Sequence, residues 1–295
     1  VNKLDEAIER EVRPWLDLVD ALRAQGIQDE LSLPQIAVMG DQSCGKSSVL
    51  EALSGVQFPR GSGLVTRCPV QLIMKRTKAE EKWEAKAFVE WKRGPQPSAA
   101  GDVASPEALR GVIEELMNAI CSGQAYGFSS DFIAIEIKSP DCPDLTLIDL
   151  PGIVRTAVTG QSQGVITEVN GLIENYLRSE RTIILAIVPS NQDVATVDIL
   201  ERAKKATKRN GTKCNCQVDP SGNRTIGVLT KPDLINPGGE AEVLEVLSNN
   251  RKPLKLGYVM VKNRNQLQLR DGVTLKEAHV AEMEFFQSHS VFKAV

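Results

Sequence analysis

The sequence has little net charge, no long apolar run and no pattern of paired cysteines. Each absence argues against a class of protein or of partner. The 295 residues carry a formal net charge of −3, which gives no general reason to expect a nucleic acid or an anionic membrane as a partner. No apolar stretch approaches the ~20 residues of a transmembrane helix, and the first residues lack the apolar core of a signal peptide. The six cysteines do not form a disulfide framework and fit reduced thiols. We therefore expect a soluble, cytoplasmic protein.

A glycine-rich turn follows the apolar run 36–39. Residues 40–47 read Gly-Asp-Gln-Ser-Cys-Gly-Lys-Ser and fit the template G-x-x-x-x-G-K-[ST]. A strand, this turn and then a helix direct backbone N–H groups and a helix dipole at one place, which suits a phosphate. Lys46 can reach the β- and γ-phosphates, and the Ser47 hydroxyl can hold Mg²⁺. The alternative is an ordinary strand–helix turn. We predict nucleotide contacts from Gly40, Asp41, Gln42, Ser43, Cys44, Gly45, Lys46, Ser47 and Ser48.

A second motif, Thr230-Lys231-Pro232-Asp233, follows the apolar run 225–229. The Asp233 carboxylate can accept two hydrogen bonds from guanine, from N1–H and the exocyclic amine, whereas adenine offers no such pair. The Lys231 stem can lie along the base. In isolation the motif is also typical of a turn that ends a strand, with Asp233 as a cap. Downstream of a phosphate loop, it indicates guanine.

A third motif, Asp149-Leu150-Pro151-Gly152, lies between the other two and closes the run 145–148. Asp149 can hold a magnesium-bound water, and the Gly152 N–H can contact the γ-phosphate. D-x-x-G alone is a weak signal. In the order phosphate loop, D-x-x-G and T-K-x-D, each after a strand, the three motifs predict a guanine-nucleotide site.

The chain alternates strand and helix patterns from residue 33 onward, which predicts an α/β fold of three layers, a P-loop NTPase fold with a mainly parallel sheet and helices on both faces. The predicted strands are 35–39, 70–74, 132–138, 145–149, 183–188, 225–230 and 258–262. The predicted helices are 46–53, 106–120, 164–179, 197–208, 241–247 and 274–288. Residues 94–105 have the composition of a surface loop.

Residues 1–32 form a separate helical segment, with an apolar stripe from Leu4 to Leu22 that Pro14 interrupts. The segment either packs on its own domain or contributes to an inter-domain bundle. We expect residues 33–295 to form the nucleotide-binding domain.

The residues 33–38, 40–48, 59–67, 145–152, 189–191 and 224–234 resemble the GTPase domain of the dynamin superfamily. Within it, the segments 48–55, 144–152 and 257–262 are similar to the interferon-induced Mx proteins. The resemblance covers nearly the whole chain and implies an extended dynamin-type domain that hydrolyses GTP to GDP and phosphate with Mg²⁺. It also implies an antiviral role.

The resemblance implies further roles in catalysis. Thr66 would contact magnesium and the attacking water, and Gln42 would position that water. Ser43, with the backbones of Gly61 and Gly63, would hold a monovalent cation, K⁺ or Na⁺, in place of an arginine finger. Ile153 stands after D-x-x-G, where many small GTPases carry a catalytic glutamine, so another group has to act in its place.

The resemblance also implies contacts at the base and between two domains. Lys262, Asn263 and Arg264 fall where the family contacts base and ribose, although a polar loop after a strand is common. Asp193 and Gln42 would lie near a homodimer interface built around the nucleotide, although Asp193 also fits a structural cap. The sequence shows no nucleic-acid partner and does not identify a membrane or viral target.

Two features depart from the family pattern. Residues 205–216 look like an insertion, which is more typical of a solvated basic loop than of a binding patch. The helical bundle and stalk of the family do not follow Val295, which leaves open a natural short form or an excised domain. Two alternative functions also remain open: a membrane-remodelling mechanoenzyme of the dynamin type, and a nucleotide-switched binding module with little hydrolysis.

Overall fold

A computed structural model describes residues 35–294, apart from residues 60–65, 79, 92–100, 122–127, 141, 143–144, 153–168, 170, 175, 178, 193–218 and 220. Several predictions concern residues outside this set. They are the N-terminal helical segment, the helix 197–208, the insertion 205–216, and the roles of Gly61, Gly63, Ile153 and Asp193. Within the described part of the chain, no helix is both long and apolar enough to cross a membrane.

The described strands form one mixed sheet. They are β1 (Gln35–Gly40), β2 (Val70–Arg76), β3 (Glu84–Glu90), β4 (Gly101–Val103), β5 (Phe132–Ser139), β6 (Leu145–Asp149), β7 (Thr182–Pro189), β8 (Thr225–Thr230) and β9 (Tyr258–Val261). Their order is β4-β3-β5-β2-β6-β1-β7-β8-β9. The run β6-β1-β7-β8-β9 is parallel throughout, so the carboxyl ends of these five strands meet at one edge.

Five helices are described in full. They are α1 (Lys46–Ser54), α2 (Leu109–Cys121), α3 (Glu240–Leu247), α4 (Gln266–Arg270) and α5 (Leu275–Ser288). In α2, Leu109, Ile113, Met117 and Ile120 are buried, which is the spacing of one helix face. α1 ends at Gly55, whose positive φ of 74° lets its N–H bond to the carbonyl of Glu51.

The sheet separates two apolar cores, because successive side chains of a strand point to opposite faces. On β1, Val38 belongs to one core, while Ala37 and Met39 belong to the other. Helices α1 and α2 pack on the first core and α3 on the second. The three-layer α/β prediction is therefore confirmed.

All seven predicted strands are present, within two residues at each end. The helices predicted at 46–53, 106–120, 241–247 and 274–288 are present too, the second beginning with the 3₁₀ turn Pro106–Ala108. Within 164–179, described residues between 169 and 177 are helical. The prediction of a loop over 94–105 is wrong at its end, because residues 101–103 form β4 and pair with β3. β3 was not predicted at all.

Candidate nucleotide-binding site

The turn between β1 and α1 contains two residues in the left-handed backbone region. Ser43 and Gly45 have positive φ angles of 62° and 105°, and such backbone is typical of anion-binding loops. A Cβ on Gly40 would lie 2.3 Å from Sγ of Cys44 and 3.1 Å from the Ile187 carbonyl oxygen. The Cys44 side chain is buried, and this burial raises the pKa of its thiol. The buried Cys44 side chain therefore packs against Gly40, which has to lack a side chain for the turn to form.

The Lys46 side chain returns across this turn. Its Nζ donates hydrogen bonds to the carbonyl oxygens of Gly40 at 3.2 Å and Asp41 at 3.0 Å. The residue is 8% exposed, so its charge is shielded from most solvent. A Cβ on Gly152 would lie 3.2 Å from this Nζ and 3.3 Å from Cα of Gln42. The D-x-x-G motif thus lies directly against the phosphate loop, where only a residue without a side chain fits easily.

The Asp149 carboxylate lies at the carboxyl end of β6, next to the Lys46 charge. The residue is 2% exposed, and its Oδ2 accepts a hydrogen bond from Thr66 Oγ1 at 3.0 Å. Oδ1 is buried and has no hydrogen-bond partner among the described residues. Burial raises the pKa of Asp149 to about 6, although the charge of Lys46 and the Thr66 hydrogen bond both lower it. An orphaned anionic oxygen, on a carboxylate that also accepts from the Thr66 hydroxyl, is a donor that suits Mg²⁺.

The T-K-P-D motif contacts the phosphate loop through its first two side chains. Thr230 Oγ1 donates to the Cys44 carbonyl at 2.6 Å, and Lys231 Nζ donates to the Ser43 carbonyl at 2.7 Å. Lys231 has a positive φ of 57° and precedes the 3₁₀ turn Pro232–Leu234. Among the described residues, no hydrogen bond or ion pair occupies the exposed Asp233 carboxylate. Thr230 and Lys231 position the loop, while Asp233 remains available to a ligand.

These elements surround a cavity of about 400 Å³ at the carboxyl edge of the parallel strands. A nucleotide-sized ligand site typically has a volume of roughly 300–1,000 Å³. Thirteen of the predicted residues line the cavity: Gln42, Ser43, Gly45, Lys46, Ser47, Ser48, Thr66, Gly152, Thr230, Lys231, Asp233, Asn263 and Arg264. Gly40, Asp41, Cys44, Asp149 and Lys262 do not line it.

Two candidates at the base end have other contacts. The Lys262 ammonium lies 5.5 Å from the centroid of the Phe285 ring. The Arg264 guanidinium forms an ion pair with Glu51 of α1 and donates to the Val273 carbonyl at 2.5 Å. Lys262 lies outside the cavity lining and its role at the base stays a prediction, while Arg264 lines the cavity with part of its charge already engaged.

The cavity also contains residues that sequence reasoning missed. Pro59, Leu234, Asn265, Gln266 and Leu269 line it, and none was predicted as a site residue. Glu51, which lies outside the cavity lining, was missed too, because its neighbours Ala52 and Leu53 are exposed and do not indicate a buried position.

Fold and site together define a P-loop GTPase domain, because the phosphate loop, D-x-x-G and T-K-x-D meet at one edge of a three-layer α/β fold. The family model for the dynamin family matches residues 36–232, and the model for the dynamin central region matches residues 242–295. The chain belongs to the dynamin family.

The chain is also similar to interferon-induced GTP-binding proteins called Mx. It is 45% identical to the protein of Epinephelus coioides over 292 residues, which cover 99% of this chain and 44% of that protein. The Mx1 protein of Mus musculus is 44% identical over 292 residues, covering 99% and 43%. The protein of Perca fluviatilis is 43% identical over 295 residues, covering 100% and 91%. The chain thus spans less than half of the first two relatives. The predicted resemblance is confirmed.

Proposed function

We propose that this chain binds GTP together with Mg²⁺ and hydrolyses it to GDP and phosphate. The observation that carries this proposal is the convergence of three motifs on one cavity of about 400 Å³. The phosphate loop supplies inward N–H groups and the Lys46 charge, which suit a triphosphate. The Asp233 carboxylate, engaged by no other described residue, supplies the acceptor pair that guanine requires.

The cation would be held by Ser47, Thr66 and Asp149. This assignment is supported by the orphaned Oδ1 of Asp149 and by its hydrogen bond to Thr66. When bound, Mg²⁺ neutralises charge on the β- and γ-phosphates. Lys46 would bind the same phosphates through its ammonium group.

Hydrolysis forms a bond between a water oxygen and the γ-phosphorus and breaks the bond to the oxygen that bridges the β- and γ-phosphates. Thr66 and Gln42 both line the cavity and would orient that water. The Gly152 N–H would donate to the γ-phosphate. A monovalent cation, K⁺ or Na⁺, would be held by Ser43 with the backbones of Gly61 and Gly63, which lie outside the described residues.

The base assignment is tested by Asp233→Asn. An amide reverses half of the hydrogen-bonding pattern, so we expect the variant to lose GTP affinity by at least a hundredfold and to gain affinity for xanthosine triphosphate. Fluorescence titration with the two nucleotides measures both changes. The matched control is Asp271→Asn, an exposed aspartate at the end of α4. Equal affinities of the unmodified protein for ATP and GTP would contradict the guanine assignment.

We also propose that a second copy of the domain completes the catalytic site. The support is Ile153, which cannot act as the glutamine of small GTPases, together with the family to which the chain belongs. Gln42 and Asp193 would lie near the interface. Turnover per molecule should then rise with protein concentration, and a fluoride mimic of the transferred phosphate should trap a dimer. A flat turnover number over a hundredfold range, with a monomer in the presence of the mimic, would sink this mechanism.

For the protein as a whole, we propose an interferon-induced, cytoplasmic antiviral GTPase of the Mx type. The names of the relatives support the interferon-induced GTP-binding class. The division of the chain into residues 1–32 and 33–295 remains part of this proposal. Measuring the level of the messenger RNA with and without interferon tests whether expression is induced. Unchanged levels would argue for a constitutive member of the family.

A further inference from the structure

Glu51 of α1 is a buried charged residue that has no place in the three motifs. It follows Ser47 by one helical turn, so the two side chains share a helix face. The Glu51 residue is 1% exposed. An ionised carboxylate is costly to bury without a partner. The groups that contact Glu51 therefore indicate what this residue does.

Glu51 pairs with Arg264, which lies 213 residues further along the chain. The two side chains form an ion pair and are 2% and 8% exposed, respectively. The other terminal nitrogen of Arg264 donates to the Val273 carbonyl at 2.5 Å. One guanidinium thus joins the helix of the phosphate loop to the segment between α4 and α5.

The pair also holds the wall at the base end of the nucleotide cavity. Residues 263–266 form this wall. Its far end is fixed by a capping box, in which the Asn265 side chain accepts from the Gln268 N–H at 2.9 Å. Its near end is fixed by Arg264. Two buried donors in the wall, Nδ2 of Asn263 and Nε of Arg264, have no partner among the described residues.

Packing alone does not fix this wall. Ser48, Asn263 and Arg264 line the nucleotide cavity and also a second cavity of about 150 Å³, which Glu51 lines as well. Close packing normally fixes such a segment, and here two cavities adjoin it. The ion pair between Glu51 and Arg264 is therefore a direct constraint on the distance between the wall and α1, beside the hydrogen bond from the Lys262 N–H to Glu282 at 2.6 Å.

We propose that Glu51 is a positioning residue for the nucleoside half of the bound nucleotide. Through Arg264 it holds the wall at residues 263–266 at the distance from the phosphate loop that a nucleoside triphosphate requires. A ligand consisting of phosphates alone does not reach the wall and gains nothing from the pair. This inference rests on the proposed function, in which GTP occupies the cavity.

The test uses Glu51→Met/Arg264→Met, because a buried ion pair can often be replaced by apolar residues of similar volume without loss of stability. The affinities for GTP and for inorganic tripolyphosphate are measured by competition against a fluorescent guanine nucleotide, together with the midpoint of thermal unfolding. We expect the Kd for GTP to rise at least tenfold and the Kd for tripolyphosphate to change less than twofold. The matched control is Arg110→Met/Glu114→Met, which removes an exposed pair on α2 with an N–O distance of 3.0 Å.

Two results would overturn the proposal. One is a stable double variant that binds GTP as tightly as the unmodified protein, which would make the pair merely structural. The other is an equal loss of GTP and tripolyphosphate affinity, which would place the effect on the phosphate loop itself. Failure of the unmodified protein to bind GTP would instead contradict the proposed function.

A second variant decides the question if the double variant does not fold. Glu51→Asp keeps the charge but shortens the side chain by one methylene, which draws Arg264 and the wall toward α1. We expect the Kd for GTP to rise three- to tenfold with tripolyphosphate affinity unchanged. An unaltered Kd for GTP in this variant would also overturn the proposal.

Discussion

Two buried aspartates, Asp149 and Asp219, lie at opposite ends of the parallel strands and have opposite environments. Asp149, at the carboxyl end of β6, leaves Oδ1 without a partner, and burial raises its pKa to about 6. Asp219, before the amino end of β8, is also buried. Burial alone would raise its pKa, but hydrogen bonds from the Thr225 hydroxyl and from backbone N–H groups lower it.

The hydrogen bonds of Asp219 show how a buried carboxylate is stabilised. Its Oδ1 accepts from the Asn223 N–H at 3.1 Å, and its Oδ2 accepts from the Arg224 N–H at 3.0 Å and the Thr225 hydroxyl at 2.7 Å. The Asp219 carboxylate, at the amino edge of the sheet, is therefore satisfied internally. The carboxyl edge keeps strained backbone, a shielded lysine and an orphaned oxygen, which are costs that a ligand can offset.

The largest effect is expected at the carboxyl edge from Lys46→Ala. Hydrogen bonds to charged groups contribute roughly 1.5–3 kcal/mol each, so losing the ammonium should weaken GTP binding by about a hundredfold or more. Fluorescence titration measures the affinity, with the exposed Lys86→Ala on β3 as the control. A change of less than fivefold would show that the edge does not bind phosphates through this charge.

Asp149→Asn should separate function from stability. Turnover should fall by at least roughly a hundredfold, because the variant loses the anionic oxygen assigned to the cation. The folded-state pKa of about 6 lies above the ordinary 3.8, so the ionised carboxylate costs stability above pH 6. At about 1.4 kcal/mol per pKa unit, its removal should raise the free energy of unfolding by up to about 3 kcal/mol.

The same argument predicts a pH dependence of stability. The free energy of unfolding of the unmodified, nucleotide-free protein should fall by this amount as pH rises from about 4 to above 6, because the buried Asp149 carboxyl ionises over that range. Asp149→Asn should lack that decline. Urea unfolding at pH 5 and pH 8 measures both proteins. A variant that is less stable than the unmodified protein at pH 8 would refute the argument.

Asp219→Asn should lower stability and leave GTP binding and turnover unchanged, in contrast to Asp149→Asn. Its amide nitrogen would face backbone donors, so we expect the free energy of unfolding to fall by about 2 kcal/mol while turnover and GTP affinity per folded molecule stay unchanged. Because the pKa of Asp219 is lowered, its contribution is present above the unfolded pKa and is lost as pH falls through the folded value. Altered turnover with unaltered stability would remove the contrast between the two edges.

The smallest effect is expected from Thr230→Val, which tests the link between T-K-P-D and the phosphate loop. The variant loses the hydrogen bond to the Cys44 carbonyl at 2.6 Å but keeps the side-chain shape. We expect a loss of about 1 kcal/mol in stability and a decrease in GTP affinity of less than tenfold. Unchanged values of both quantities would mean that Lys231 alone holds the motif against the loop.

The strands that sequence reasoning missed show the limit of apolar patterning. β3 alternates exposed residues such as Glu84 and Lys86 with buried Ala85 and Ala87. Alanine gives only a weak apolar signal. β4 has three residues and begins at Gly101, so it acquires its conformation from pairing with β3. Central strands were predictable because they are buried on both faces.

The sequence by itself determined the elements whose parts are adjacent in the chain. A phosphate loop needs only a strand, a turn and a helix start, and the order of the three motifs indicated the guanine class. Only the tertiary structure decided which groups meet across long separations. Thr230 reaches Cys44 over 186 residues, Lys231 reaches Ser43 over 188, and Arg264 reaches Glu51 over 213. The physical reason is that strand order, and not chain order, sets these contacts and the burial that raises the pKa of Asp149.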